Sequence, residues 1–148
     1  MMFFIPIDPP RATDQEKKIA ISKTGRPVFY RPYRLKKART LLETELKKHA
    51  PKALIEGPLR LTVCWIFRTQ NKRLQGTWKE TRPDTDNLEK MLKDVMTHTG
   101  YWKDDAQVCM EVVLKAWGAD PGILIGIDRL CSAKEEMDKI IRKNEKEE

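Results

Sequence analysis

Along residues 59–67, Leu59, Leu61, Val63, Trp65 and Phe67 alternate with Arg60, Thr62, Cys64 and Ile66. A period of two with one strongly apolar side predicts a strand, and it puts Trp65 in the core. Elsewhere the period lengthens to that of a helix. Pro32 can open a helix over 33–49 that carries Leu35, Ala38, Leu42 and Leu46 on one side, with Lys36, Lys37, Arg39, Lys47 and Lys48 over much of the rest. A second stripe, Leu88, Met91, Leu92, Val95 and Met96, predicts a helix that ends between residues 97 and 100. Asp86 occupies its expected N-cap, and Glu89 three residues on completes a capping-box pattern. A third begins at Ser132, with Glu135 as box partner and Met137, Ile140 and Ile141 as its apolar face.

Three further runs read as strands. Residues 1–7 are apolar but short, lack a basic leader and meet Pro6, Pro9 and Pro10, which suits a first strand and not a signal peptide. Residues 108–117, whose first seven read as buried, and 123–130 flank Gly118-Ala119-Asp120-Pro121-Gly122, so they are expected to pair as a hairpin. Residues 70–81 have no periodicity and read as a long loop. The pattern predicts an α+β fold, a small mixed sheet with helices packed on it, in a single domain over residues 1–148 without internal repeats.

The chain has 148 residues, enough to bury a core, and a net charge of +7. Charge is uneven: 18 Lys and Arg face 7 Asp and Glu up to residue 80, and 11 face 15 thereafter. The basic part is a candidate polyanion surface, although a pI near 9.4 alone also suits proteins that never touch DNA. Within it Arg26, Arg31 and Arg34 are interleaved with Phe29, Tyr30 and Tyr33, a mixture suited to phosphates and unpaired bases. A core-packed hairpin with solvated arginines accounts for the same residues. Lys72 and Arg73 in the loop and Arg82 beyond it extend the candidate DNA surface. Cys64, Cys109 and Cys131 are odd in number and form no Cys-x-x-Cys pair, so reduced, mostly buried thiols in a cytoplasmic protein are expected. No apolar run is long enough to span a membrane.

The chemistry concentrates between residues 82 and 107. Pro83 keeps Arg82 extended, so Asp84 and Asp86 project to one side, with Lys90 one helical turn after Asp86. Asp104 and Asp105 open the strand that follows the helix, and the connection between is long enough to return them toward Asp84. Gathered carboxylates repel one another unless a cation sits among them, and oxygen donors without Cys or His suit Mg²⁺, with Mn²⁺ as a possible substitute, better than zinc. A helix-capping Asp86 and a turn residue at Asp84 need no metal, and Lys90 can simply pair with Asp86 or Asp94.

The run Asp84-x-Asp86-Asn87-x-x-Lys90, with Asp94 four residues on and Trp102-Lys103-Asp104-Asp105-x-Gln107-Val108 downstream, resembles the RusA-type Holliday junction resolvases. Ala106 stands where many relatives carry a small polar residue. The resemblance implies an endodeoxyribonuclease that resolves four-way junctions by paired phosphodiester hydrolysis, with Asp84, Asp86 and Asp105 as metal ligands and Lys90 as the catalytic lysine. Branched DNA as partner and a two-fold homodimer follow from the same resemblance. Two other classes fit parts of the pattern: a branched-DNA-binding protein of the same fold without cleavage, and another Mg²⁺-dependent enzyme such as a flap nuclease or a nucleotidyltransferase. The absence of a glycine-rich phosphate loop disfavours the last.

Overall fold

The computed structural model describes residues 1–11, 18–30 and 33–144. Its centre is a four-stranded mixed sheet built from β1 (Met2–Ile5), β4 (Leu59–Arg68), β5 (Val108–Gly118) and β6 (Gly122–Arg129), in the order β1-β6-β4-β5. The alternation along β4 is realised: Leu59, Leu61, Val63, Trp65 and Phe67 are buried, and the intervening side chains are half-buried. Helices α1 (Tyr33–His49) and α2 (Thr85–His98) cover the apolar face. Their Leu42, Leu46, Leu88, Leu92, Val95 and Met96 join Trp65 and Phe67 in one core. A two-stranded ribbon, β2 (Lys18–Ile21) with β3 (Pro27–Tyr30), and the terminal helix α3 (Ala133–Asn144) complete the α+β arrangement.

The expected hairpin between the last two strands does not form. β4 lies between them, parallel to β5 and antiparallel to β6. Two strand spacings are about 9.6 Å, and the four Cα steps from Gly118 to Gly122 reach about 15 Å, so the turn can step over the end of β4. Glycine at each end of the turn permits close packing, against β4 at Gly118 and against β1 at Gly122. A Cβ on Gly118 would lie 2.6 Å from the Ile66 side chain, and one on Gly122 would lie 2.9 Å from the Ile5 carbonyl oxygen and 2.0 Å from the Phe4 ring. The turn signal was correct, and the pairing was decided by a third strand remote in sequence.

β5 is also less enclosed than its run of apolar residues suggests. It takes an edge of the sheet, where Cys109, Glu111 and Val112 are exposed. Cys131 is exposed too, so the three thiols are free but, contrary to expectation, not mostly buried. The β2–β3 ribbon is not core-packed: Ile19, Ile21 and Val28 stand in solvent, with Arg26 exposed near its turn. No helix among the described residues is long and apolar enough to cross a membrane.

Candidate active site

β4, α2 and β5 form a parallel strand–helix–strand crossover, which carries the start of α2 to the carboxyl ends of the two strands. Such edges, facing a helix N-terminus, are where α/β folds place ligands. Helix α2 begins at Thr85, earlier than the sequence pattern suggested, and Asp84 is its N-cap residue. The expected capping box around Asp86 is therefore absent, because Asp86 already lies in the first turn. Asp84 remains extended (φ −74°, ψ 151°), yet its side chain makes no capping hydrogen bond. Asp84, Asp86 and Lys90 are all exposed. Asp86 and Lys90 are one turn apart on the same helix face. Among the described residues none of the three enters a side-chain hydrogen bond or ion pair, so the capping and pairing roles that would make them ordinary are not in use.

The partner predicted for Asp86 does something else. Glu89 is 3% exposed, and one carboxylate oxygen accepts a 2.8 Å hydrogen bond from the Trp65 indole N–H while the other has no partner among the described residues. Burial pushes its carboxyl up to about 7, against the opposing pull of Trp65, with nearby Glu111 raising it and Lys93 lowering it. A folded pKa above the ordinary 4.5 means that the fold favours the protonated acid. The stabilisation is complete below pH 4.5 and is lost as pH rises toward 7. Thermal stability in metal-free buffer is therefore expected to fall across this window, by up to about 1.4 kcal/mol per pH unit. Glu89→Gln should flatten the decline, and identical melting profiles for the two proteins would show that Glu89 ionises without penalty.

The later pair is divided between two jobs. Tyr101 and Trp102 are buried and anchor the connection, the Tyr101 hydroxyl donating to the Leu46 carbonyl and the Trp102 indole N–H to Thr97 Oγ1, both at 2.8 Å. Asp104 Oδ1 accepts from the Ala106 backbone N–H at 2.8 Å and caps the 3₁₀ turn Asp105–Gln107. Gln107 closes the turn by accepting from the Asp104 N–H and donating to the carbonyls of Ile55 and Gly57. Ala106 serves this turn through its backbone N–H. With Asp104 occupied as a cap, Asp105 has no side-chain partner among the described residues.

The connection does not return toward Asp84. It enters β5 directly, and Asp104 and Asp105 line a cleft of about 410 Å³ with Asp94, Thr97, His98, Arg39 and Lys103 at the far end of α2. Asp86 precedes Asp94 by eight residues, about 12 Å of helix. Among the described residues no three His, Cys, Asp or Glu side chains are grouped to hold a metal ion. One chain thus presents Asp84 and Asp86 at one end of α2, with Lys90 a turn further along, and Asp105 at the other end.

Of the predicted DNA-contact residues, Arg26, Lys72, Arg73 and Arg82 are exposed, Arg34 is exposed but engaged by another group, and Arg31 lies outside the described residues. The loop over 70–81 is ordered along the free edge of β5. Gly76 N–H donates to the Trp117 carbonyl, Trp117 N–H to the Thr77 carbonyl, and Lys79 N–H to the Lys115 carbonyl. Trp78 stands 70% exposed on this loop, an aromatic surface that the lack of periodicity concealed.

A family model described as endodeoxyribonuclease RusA matches residues 8–128. The chain is 41% identical over 69 residues to a protein named crossover junction endodeoxyribonuclease rusA from Lactococcus phage r1t, a match covering 45% of this chain and 53% of the relative. It is 25% identical over 130 residues to the uncharacterized protein YqaN of Bacillus subtilis (strain 168), covering 80% of this chain and 84% of that one. The first alignment spans about half the length of the phage protein. With the family match extending over most of its length, the chain belongs to the RusA endodeoxyribonuclease family.

Proposed function

We propose that this protein is a Mg²⁺-dependent endodeoxyribonuclease that resolves four-way DNA junctions as a two-fold homodimer. One observation carries the reading: Asp84 and Asp86 at the N-terminus of α2 and Lys90 one turn further on stand exposed and, among the described residues, unpaired, on the carboxyl edge of a parallel strand pair. Their donor set is hard oxygen without thiol or imidazole, which fits Mg²⁺. Asp84, Asp86 and Asp105 would hold the ion, with Mn²⁺ an acceptable substitute. Bound there, the metal would supply activation of a water for attack at phosphorus and neutralisation of charge on the leaving oxygen. The ammonium group of Lys90, one turn from Asp86, is placed to stabilise negative charge on the phosphoryl oxygens. Arg82, the loop cations Lys72 and Arg73, and the exposed Trp78 supply phosphate contacts and a stacking face on the approach to that edge.

Because α2 separates Asp105 from the other carboxylates within one chain, the centre is completed across the dimer. A partner whose α2 runs antiparallel to this one sets Asp84 and Asp86 beside Asp105 of the partner subunit, twice, by symmetry. Two centres match the two strands that must be cut. The purified protein is expected to cut a synthetic four-way junction in symmetric pairs with Mg²⁺, and to leave linear duplex largely intact. Equal cutting of both substrates, or cutting that survives excess EDTA, would reject the reading. Binding without any cleavage at all Mg²⁺ and Mn²⁺ concentrations would favour a non-catalytic junction-binding protein.

A further inference from the structure

Lys115 lies on β5, far along the chain from Asp84 and Asp86, and nothing in its sequence context marks it. Its ammonium group donates 2.7 Å hydrogen bonds to two backbone carbonyls, those of Thr81 and Pro83. These carbonyls flank Arg82, and the second belongs to the peptide that joins Pro83 to Asp84. A lysine bridging two carbonyls of an approach segment fixes that segment's path relative to the strand, because charge-assisted hydrogen bonds are stronger and more directional than neutral ones.

The same segment is held from a second side. Lys79 is 6% exposed, its Nζ lying 4.4 Å from the centre of the Trp117 ring and 5.0 Å from that of Phe67. That ammonium donates to Thr81 Oγ1 at 2.5 Å. The Lys79 backbone N–H donates to the Lys115 carbonyl at 3.0 Å, so the loop that carries Lys79 is tied to β5 at Lys115 itself. Burial holds Lys79 below the usual lysine range, with Lys115 and Arg11 adding to the effect. Two cations side by side are costly, and here both are directed at the three residues that lead into Asp84.

We propose that Lys115 is a positioning residue for the carboxylate pair: from β5 it clamps the Thr81 and Pro83 carbonyls and thereby sets where Asp84 and the first turn of α2 present their oxygens. The assignment rests on the reading of Asp84 and Asp86 as the metal-holding pair. Reaction rates respond steeply to such placement, about 100-fold for a misplacement near 1 Å. Lys79 buttresses the clamp through Thr81.

The test compares Lys115→Met, Lys115→Arg and Asp86→Asn in the full chain. Single-turnover cleavage of a four-way junction is measured against Mg²⁺, and junction affinity is measured in EDTA. Lys115→Met is expected to slow cleavage at least tenfold at saturating junction and to raise the Mg²⁺ concentration needed for half-maximal rate severalfold. Junction affinity should stay within about twofold of native, and Lys115→Arg, which keeps two charged donors, should recover most of the rate. A purely structural lysine would show lower thermal stability with an unchanged Mg²⁺ requirement. Native Mg²⁺ dependence and rate in Lys115→Met, with Asp86→Asn inactive, overturn the positioning role alone. Full activity in Asp86→Asn overturns the site reading and this assignment with it. If Lys115→Met loses its near-ultraviolet circular dichroism, Lys115→Gln, which retains one neutral donor, takes its place under the same criteria.

Discussion

Asp86→Asn is expected to slow junction cleavage by about 10³-fold or more while junction affinity in EDTA stays close to native. Removing one charged ligand from a hard divalent cation costs several kcal/mol of transition-state stabilisation, and about 4 kcal/mol corresponds to three orders of magnitude in rate. The fold should be indifferent to the change. Asp86 makes no side-chain hydrogen bond or ion pair among the described residues, and Asp84, not Asp86, occupies the cap. The only local cost is the loss of a negative charge in the first turn, worth less than about 1 kcal/mol. Melting temperature and junction binding therefore separate the two roles cleanly. A variant that cuts at the native rate would leave Asp86 without chemical work.

A mixed dimer of one Asp86→Asn chain with one Asp105→Asn chain should regain activity that neither variant shows alone. If each centre takes Asp86 from one subunit and Asp105 from the other, this heterodimer contains one centre with both defects and one with none. It should nick one strand of the junction at close to the native rate per intact centre and fail to make the paired second cut. If both residues serve a centre within a single chain, each centre in the heterodimer carries a defect and the mixture stays inactive. Differently tagged chains purified as the heterodimer, assayed on a junction labelled on each strand in turn, distinguish the outcomes. The experiment is decisive because Asp105 lies in the cleft with Asp94, two turns down α2 from Asp86.

The proposed dimer has surface available for contact. Met137, Ile140 and Ile141 are more than half exposed on α3. Met137 and Ile140 line an apolar groove of about 290 Å³ that runs past Cys109, Met110 and Leu130. Light scattering of the purified protein reports whether two chains associate before DNA is present.

Local patterns made much of this molecule legible. The period of two in β4 and the helical stripes of α1 and α2 are statements about which side of an element meets the core, and each was realised in place. The Asp84-x-Asp86-Asn87-x-x-Lys90 run stood out through its likeness to a family motif, whereas the short-range pattern placed the helix cap at Asp86 and the structure places it at Asp84. Periodicity could not show that Glu89 leaves the helix surface to meet Trp65, because its partner lies 24 residues away. Nor could it show that β4 separates β5 from β6, that the loop over 70–81 lies along β5, or that Lys115 reaches back to Thr81 and Pro83.

The sequence by itself determined the α+β class and the strongest strand and helices, and it singled out carboxylates and a lysine as candidates for metal-assisted chemistry. Only the tertiary structure decided that Asp104 is a cap while Asp105 is free, and that α2 holds Asp105 away from Asp84 and Asp86. The physical reason is common to these cases. Backbone propensity and side-chain period act over a few residues, whereas strand order, the path of a crossover and the partner of a buried charge depend on which distant segment fills the space beside them.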